Sequence, residues 1–406
     1  MEARAQCVNA KTRDKGESWQ VRCACPLGSG LGFGATLLLL TAIPAYAQDP
    51  GSGVAIGATY LTDAIANVSG GLSPGTAWLG RADIRAEFDE DALGINGASA
   101  ALDVIWTHGP AFSSEHVGDM QVVSNVQGDH TLRPYEAWLQ LPLGQGGLAV
   151  KAGLIDSNSE FDVQTIGLLF LNSSHGTGPD FSKSGVDGPS IFPVTASTVM
   201  LKLEKPHWSI RLGLLNAVAG DPERPRNFRL RFPGEDGSLL VAEGNVELTE
   251  AVDLQLGGWA YTRRLDTIDP ARRAQRGSHG GYTQIEAKIV GREDGGRLDG
   301  WLRAGMASGA VNRVTRYIGG GLTYTRGSGR WGIAIADARQ SRLARHVFAD
   351  ARKRAETNIE FTYARRVARF LTVQPDVQYV IDPGWSATTR NALVVGVRFS
   401  FEVWKR

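Results

Sequence analysis

The chain has 406 residues, 50 of them glycine and 3 cysteine, and 43 basic against 42 acidic side chains give a net charge of +1. That balance excludes the basic excess of a nucleic-acid binder, and so few cysteines exclude a small disulfide-stapled scaffold. No run reaches the ~18 apolar residues of a membrane-crossing helix.

The one sustained apolar run is Leu31–Ile43, preceded by Arg22 and followed by Ala45, Tyr46 and Ala47. A basic start, a short apolar core and small residues before a cut read as a secretory signal. Residues 1–47 are therefore expected to be a long leader cleaved after Ala47, and 48–406 the exported domain. Cys7, Cys23 and Cys25 all lie in the leader, so no metal or redox role is assigned to them. The leader also removes five basic and three acidic residues, which takes the net charge from +1 to −1. Exported, large and free of cysteine, the domain fits a bacterial envelope protein.

After Ala47 the hydrophobic period is two, not 3.6. In Thr76–Phe88, Trp78, Gly80, Ala82, Ile84, Ala86 and Phe88 fall on one face, and Leu79, Arg81, Asp83, Arg85 and Glu87 on the other. Leu371–Ile381 and the last segment repeat the pattern, with Gln374, Asp376, Gln378, Arg398 and Glu402 on the polar face. Apolar outside and charged inside is the signature of a barrel with lipid around it and water within. Such segments fall at 54–67, 76–88, 97–108, 132–142, 147–155, 196–205, 207–217, 238–249, 252–264, 280–291, 297–308, 316–326, 330–340, 355–366, 370–381 and 391–403. Small residues dilute 97–108, and the parity of 330–340 slips after Ile335. Connections alternate between short turns, such as Leu143–Gly146 and Glu250–Ala251, and longer stretches, such as 109–131, 156–195, 218–237, 265–279 and 341–354. Short periplasmic turns alternating with longer outer loops follow the outer-membrane rule. The expected fold is all-β, a transmembrane antiparallel β-barrel of about 16 strands, a size that leaves an aqueous channel.

The polar stretch 156–195 far exceeds an ordinary ~4–6-residue connection, and it is expected to fold inward and narrow the bore. The predicted constriction sets the ladder Arg81, Asp83, Arg85 and Glu87, with Glu136, Trp138 and Lys151, against Asp162, His175, Asp180 and Lys183 of the loop. Further polar positions on the inner face include Lys202, Glu204, Arg211, Glu243, Glu286, Arg303 and Glu360. Both signs are interspersed, whereas an anion pore would show a ring of Arg and Lys. A mixed field with amides suits a neutral, hydroxyl-rich solute, and Trp138, Trp259 and Tyr261 are candidates to stack on a sugar. The plainer reading of these aromatics is an interfacial girdle.

Two other constellations lie in the same loop. Asp156, Asn158 and Glu160 place oxygens at alternate positions, as a calcium loop does, but Phe161 stands where such a loop needs glycine. Ser173, Ser174 and His175 hint at an outer-membrane hydrolase, with no third member and no G-x-S-x-G turn to support it. Gly176, Gly178 and Pro179 instead suggest a tight fold that packs Leu168–Leu171 on the inner wall.

The pieces RPYEAWLQ (133–140), KAGLIDSNSEFD (151–162), FLNSSHGTGPDFS (170–182), AETNIEFTYARRVARFLTVQPDVQYVIDPG (355–384) and NALVVGVRFSF (391–401) resemble the carbohydrate-selective porin family, OprB-like, of bacterial outer membranes. The resemblance spans the exported part in consistent order. It implies a sixteen-stranded barrel in the outer membrane of a Gram-negative bacterium, with passive or weakly selective uptake of glucose and related sugars. Such barrels usually end in an aromatic residue, whereas this chain runs past Phe401 to Arg406. The alternative readings are a general or small-organic-anion porin and, remotely, a barrel hydrolase using Ser174 and His175. Expected partners are sugars and other small solutes, the lipid bilayer and the barrel-assembly machinery. A homo-oligomer is left open, since no strand marks an interface. No nucleic acid, cofactor or catalytic activity is expected.

Overall fold

The computed structural model describes residues 53–404 apart from 222, 225, 227–229, 233–235, 273–274, 292–294, 349 and 351. The expected leader lies outside the described residues. Sixteen strands form one closed antiparallel barrel. They are β1 (Val54–Gly71), β2 (Gly75–Phe88), β3 (Ser99–His108), β4 (Thr131–Pro142), β5 (Leu148–Ile155), β6 (Ala196–Lys205), β7 (Trp208–Asn216) and β8 (Ser238–Thr249). There follow β9 (Val252–Asp266), β10 (Gln275–Gly291), β11 (Arg297–Ala307), β12 (Val314–Arg326), β13 (Gly329–Gln340), β14 (Ala355–Ala368), β15 (Leu371–Ile381) and β16 (Arg390–Trp404). Every strand hydrogen-bonds to its neighbours in sequence, and β1 closes the ring against β16.

Alternation decides which way each side chain points, because successive residues of a strand face opposite sides. Trp78, Ile84, Leu102, Trp106, Ile333 and Phe361 are exposed on the outer surface, where lipid replaces water. Arg81, Asp103, Glu136, Arg303, Glu360 and Gln378 point inward and are buried. The expected parity slip in β13 is not present. Its exposed outer residues run Trp331, Ile333, Ile335 and on to Arg339, with Asp337 half-buried among them. Inward Ala336 and Ala338 are small because Trp385 and Tyr317 pack against them. Charge on the outer face, not a shift of register, breaks the apolar pattern there.

Closing a ring of strands needs one pairing between chain ends, and here it carries a buried ion pair. Asp63 and Arg398 are register partners across the β1–β16 seam. Arg398 donates from Nε and Nη2 to the two Asp63 oxygens at 2.7 and 2.8 Å. The fork matches carboxylate geometry, the strongest form of such a pair.

The apolar core lies between the inner wall and chain segments that enter the barrel. Phe161 and Phe181 of the β5–β6 connection pack with Met200, Leu239, Trp259 and Tyr282. Ile166, Leu169 and Phe170 of that connection pack with Trp301 and Ala334. Phe112, Val117, Val123 and Val126 of the β3–β4 connection pack with Ile65, Leu79 and Val394. Each fully buried side chain of this size contributes roughly 1.5–3 kcal/mol.

Candidate constriction

Inner-wall carboxylates grip the β5–β6 connection by its backbone. Glu136 accepts from the amide of Asp156, Glu243 from Asp162, and Glu286 from Ile166, at 3.1, 2.7 and 2.8 Å. Glu360 accepts from Leu171 and Asn172 at 2.6 and 3.0 Å. Amides on β10 and β15 complete the attachment: Gln284 donates to the Val163 carbonyl and Gln374 to that of Leu169. These contacts run from β4 round to β15, so much of the polar inner face satisfies loop backbone instead of facing water. A buried amide left unpaired would cost about 1–3 kcal/mol.

The centre of the attachment is Arg303 on β11. Its Nε and Nη2 donate to Asp162 at 2.6 and 2.7 Å, and its Nη1 to Asp180 at 2.6 Å. Tyr282 and Tyr317 flank it at 5.1 and 5.3 Å. Gly178 and Gly305 are required here: a Cβ on the first would collide with Arg303, and on the second with the Asp180 carboxylate. Asp162 itself takes a left-handed conformation, with φ of 56°. Aspartate tolerates that region better than most residues, and both its carboxylate and its amide are held.

A second polar node sits on β5–β7. Glu160 receives Lys151 at 2.6 Å and Lys202 at 3.0 Å, while Arg211 donates to the Glu160 carbonyl at 3.0 Å. Burial alone would raise the Glu160 carboxyl. Lys151, Lys202 and Arg211 outweigh it and hold it at about 2, below its ordinary 4.5. A depressed carboxylate stabilises the fold fully above its ordinary value, and that contribution is lost as pH falls toward the folded one. Conductance in planar bilayers should therefore be flat from pH 7 to about 5 as far as this anchor is concerned, and become unsteady only as the pH nears about 2, where Glu160 protonates in the folded barrel. Glu160→Gln should show the unsteady behaviour already at pH 7.

On β2–β4 the inner wall carries a paired set of charges, of which Glu87 is the most exposed. Arg85 donates to Glu87 at 2.8 Å and to Glu136 at 2.5 Å, with Asp103 at 3.7 Å. Arg81 donates from Nε to Asp83 at 2.9 Å and lies between the rings of Tyr135 and Phe192, 4.7 Å from each. Lys151 stands 3.7 Å over Trp138. Side-chain exposure is 8% at Arg81, 13% at Asp83, 11% at Arg85 and 24% at Glu87. Donors and acceptors thus alternate on a rigid strand.

The loop residues expected at the rim are placed differently. Asp162 and Asp180 are fully buried on Arg303, and His175 is fully buried between Phe170 and Trp301. Only Lys183 of that set is exposed. Trp259 and Tyr261 point inward, but Phe181 stacks on Trp259 at 5.5 Å and Ser184 bonds the Tyr261 hydroxyl. They belong to the apolar core and have no open face for a sugar, which leaves Trp138, half-buried, as the aromatic of the three beside the paired charges. The calcium spacing is used otherwise: Asp156 caps the turn at Asn158 and accepts from Tyr135, while Glu160 holds lysines. Among the described residues no group of three His, Cys, Asp or Glu is placed to hold a metal. Ser174 Oγ and both His175 ring nitrogens have no hydrogen-bond partner among the described residues. Burial pushes the imidazole down to about 3. A nucleophile and its base must be hydrogen-bonded to work together, and here they are not.

The second entering segment, 109–130, was missed in the sequence. Glu356 accepts from the amides of Met120, Gln121 and Gly384, and Gln378 donates to the Val123 carbonyl. Four buried apolar residues in a supposed outer loop were the available signal.

Comparison with known proteins identifies the family and the fold. The family model for the carbohydrate-selective porin, OprB family, matches residues 74–402. Porin B of Pseudomonas aeruginosa is 23% identical over 399 residues, covering 84% of this chain and 85% of its own. The high-pH structure of Pseudomonas putida OprB superposes with a TM-score of 0.74 at 19% identity, over 87% of this chain and 94% of that one. A mutant of the Rhodopseudomonas blastica porin gives 0.52 at 12% identity, over 86% and 100%.

Proposed function

This chain belongs to the carbohydrate-selective porin family, OprB, and we propose that its passage runs between the β2–β4 charge ladder and the docked β5–β6 connection. It is an outer-membrane porin of a Gram-negative bacterium through which sugars diffuse. The observation that carries the finer reading is the pairing of every strong charge on the ladder with an opposite one nearby. A passage of paired charges offers a neutral polyol fixed donors and acceptors in exchange for water, and gives an ion of either sign no net well. The leader, removed after Ala47, serves export.

Liposome swelling tests this directly. Proteoliposomes should admit glucose faster than gluconate, a charged solute of similar size. Equal or slower entry of glucose would remove selectivity from the reading and leave a general porin.

A further inference from the structure

The outer surface of β12 and β13 carries a charge arrangement that sugar passage does not use. Arg316 and Arg339 are register partners on adjacent strands, both exposed on the lipid-facing side. Like charges directly opposite one another in a sheet are destabilising. Arg339 is matched, donating to Asp337 at 2.8 Å, and Thr357 holds the other oxygen of that carboxylate. Arg316 has no counter-ion among the described residues. Its outer-face neighbours in register are Met306 and Arg339, and exposed Arg342 follows just beyond β13.

Position along the strand fixes the depth of this pair. Trp331, at the other end of β13, stacks on Tyr363 at 3.8 Å, an aromatic pair of the kind that marks a membrane interface. From Trp331 to Arg339 the strand advances eight residues, about 26 Å at ~3.3 Å each, or about 20 Å after barrel tilt. That is close to the ~25 Å apolar band of such barrels. Ile333 and Ile335 fill the interval on the same face. The β13–β14 connection lies at the same end as the long β5–β6 connection, the outer side by the loop rule. Arg316 and Arg339 therefore sit at the headgroup level of the outer leaflet, where charge costs little to expose and anionic headgroups are within reach.

We propose that Arg316 and Arg339 form a seat for the phosphate groups of an outer-leaflet glycolipid. One phosphate group would supply the anion that Arg316 lacks and bridge it to Arg339, different oxygens accepting from the two guanidinium groups through charge-assisted contacts. The acyl chains would then lie along Met306, Ile318 and Ile335. Both arginines point away from the lumen, so the site is independent of solute passage.

The test uses the full barrel in detergent, titrated with bisphosphorylated lipid A, with the same lipid lacking phosphate, and with inorganic phosphate. Its readout is the thermal midpoint of unfolding. Lipid A should raise the midpoint saturably, the phosphate-free lipid and inorganic phosphate much less. The double variant Arg316→Ser with Arg339→Ser should bind lipid A about tenfold more weakly, as expected for lost charge-assisted bonds, with single-channel conductance unchanged. Undiminished binding in the variant, or an equal shift with phosphate-free lipid, would overturn the proposal. An equal shift with inorganic phosphate alone would make this a site for the free anion and overturn the lipid assignment. Should the double variant not fold, Arg316→Gln keeps the Arg339–Asp337 pair and is read in the same way.

Discussion

Arg303→Ala is expected to raise single-channel conductance and lower barrel stability together. The side chain is fully buried and is shared by two loop carboxylates, Asp162 and Asp180, 18 residues apart in sequence. Removing it leaves both carboxylates buried without their counter-ion, a loss of about 3–5 kcal/mol. The fold can relieve that cost by letting Asp162 and Asp180 swing into water, which lifts the middle of the connection off β11. Conductance should then move toward that of a deletion of Ile166–Asp180, the upper limit for an undocked loop. Phe161, Phe170 and Phe181 would keep the ends attached, so conductance should become noisy as well as larger. Replacing Asp162 and Asp180 by Asn together with Arg303→Met should recover much of the stability, because an apolar substitute for a whole buried ion group is often tolerated. Unchanged conductance in Arg303→Ala and in the deletion would show that the connection does not obstruct the bore.

Arg398→Ala is expected to have the next largest effect, on closure rather than on passage. Asp63 has a side-chain exposure of 1% and sits where β1 meets β16, the one seam joining distant parts of the chain. An uncompensated carboxylate there costs about 3–5 kcal/mol. Ser124 also donates to Asp63 at 2.7 Å, so the β3–β4 connection loosens with the seam. Heat modifiability on gels measures it: the temperature at which the folded band disappears should drop well below that of the unaltered protein. Arg272→Ala is the control. Its partner is Asp269, but the guanidinium is 64% exposed, and an exposed pair contributes under about 1 kcal/mol. Equal shifts in the two variants would mean that the seam pair is no stronger than a surface one.

The barrel was legible because membrane strands encode their two faces residue by residue. The stretch 252–264 could be assigned from alternation alone, and β9 runs Val252–Asp266. The β13 parity was misread because outward Asp337 and Arg339 lie beyond the apolar band, while inward Ala336 and Ala338 look apolar only to make room for Trp385. Alternation reports environment, and at strand ends the environment outside is no longer hydrocarbon. The ladder from Arg81 to Glu87 was readable for the same reason as the strand that bears it. The roles of the loop residues were not, since nothing local distinguishes an aspartate at a water-filled rim from one buried on an arginine 141 positions away. Trp259 gave an equally incomplete signal: inward placement follows from parity, but its cover by Phe181 depends on a contact with a distant segment. Glutamates such as Glu243, Glu286 and Glu360 look like lumen charge in the sequence and serve as backbone acceptors in the fold.

Planar-bilayer recording with glucose added on one side is the most direct test of passage along the Arg81–Glu87 ladder. The ion current through the unaltered barrel should fall in a saturable way as glucose occupies the passage. The fall should weaken at least several-fold when Arg81→Gln and Asp83→Asn remove the paired donors and acceptors. A current that glucose leaves unchanged, or one blocked equally in both proteins, would contradict it.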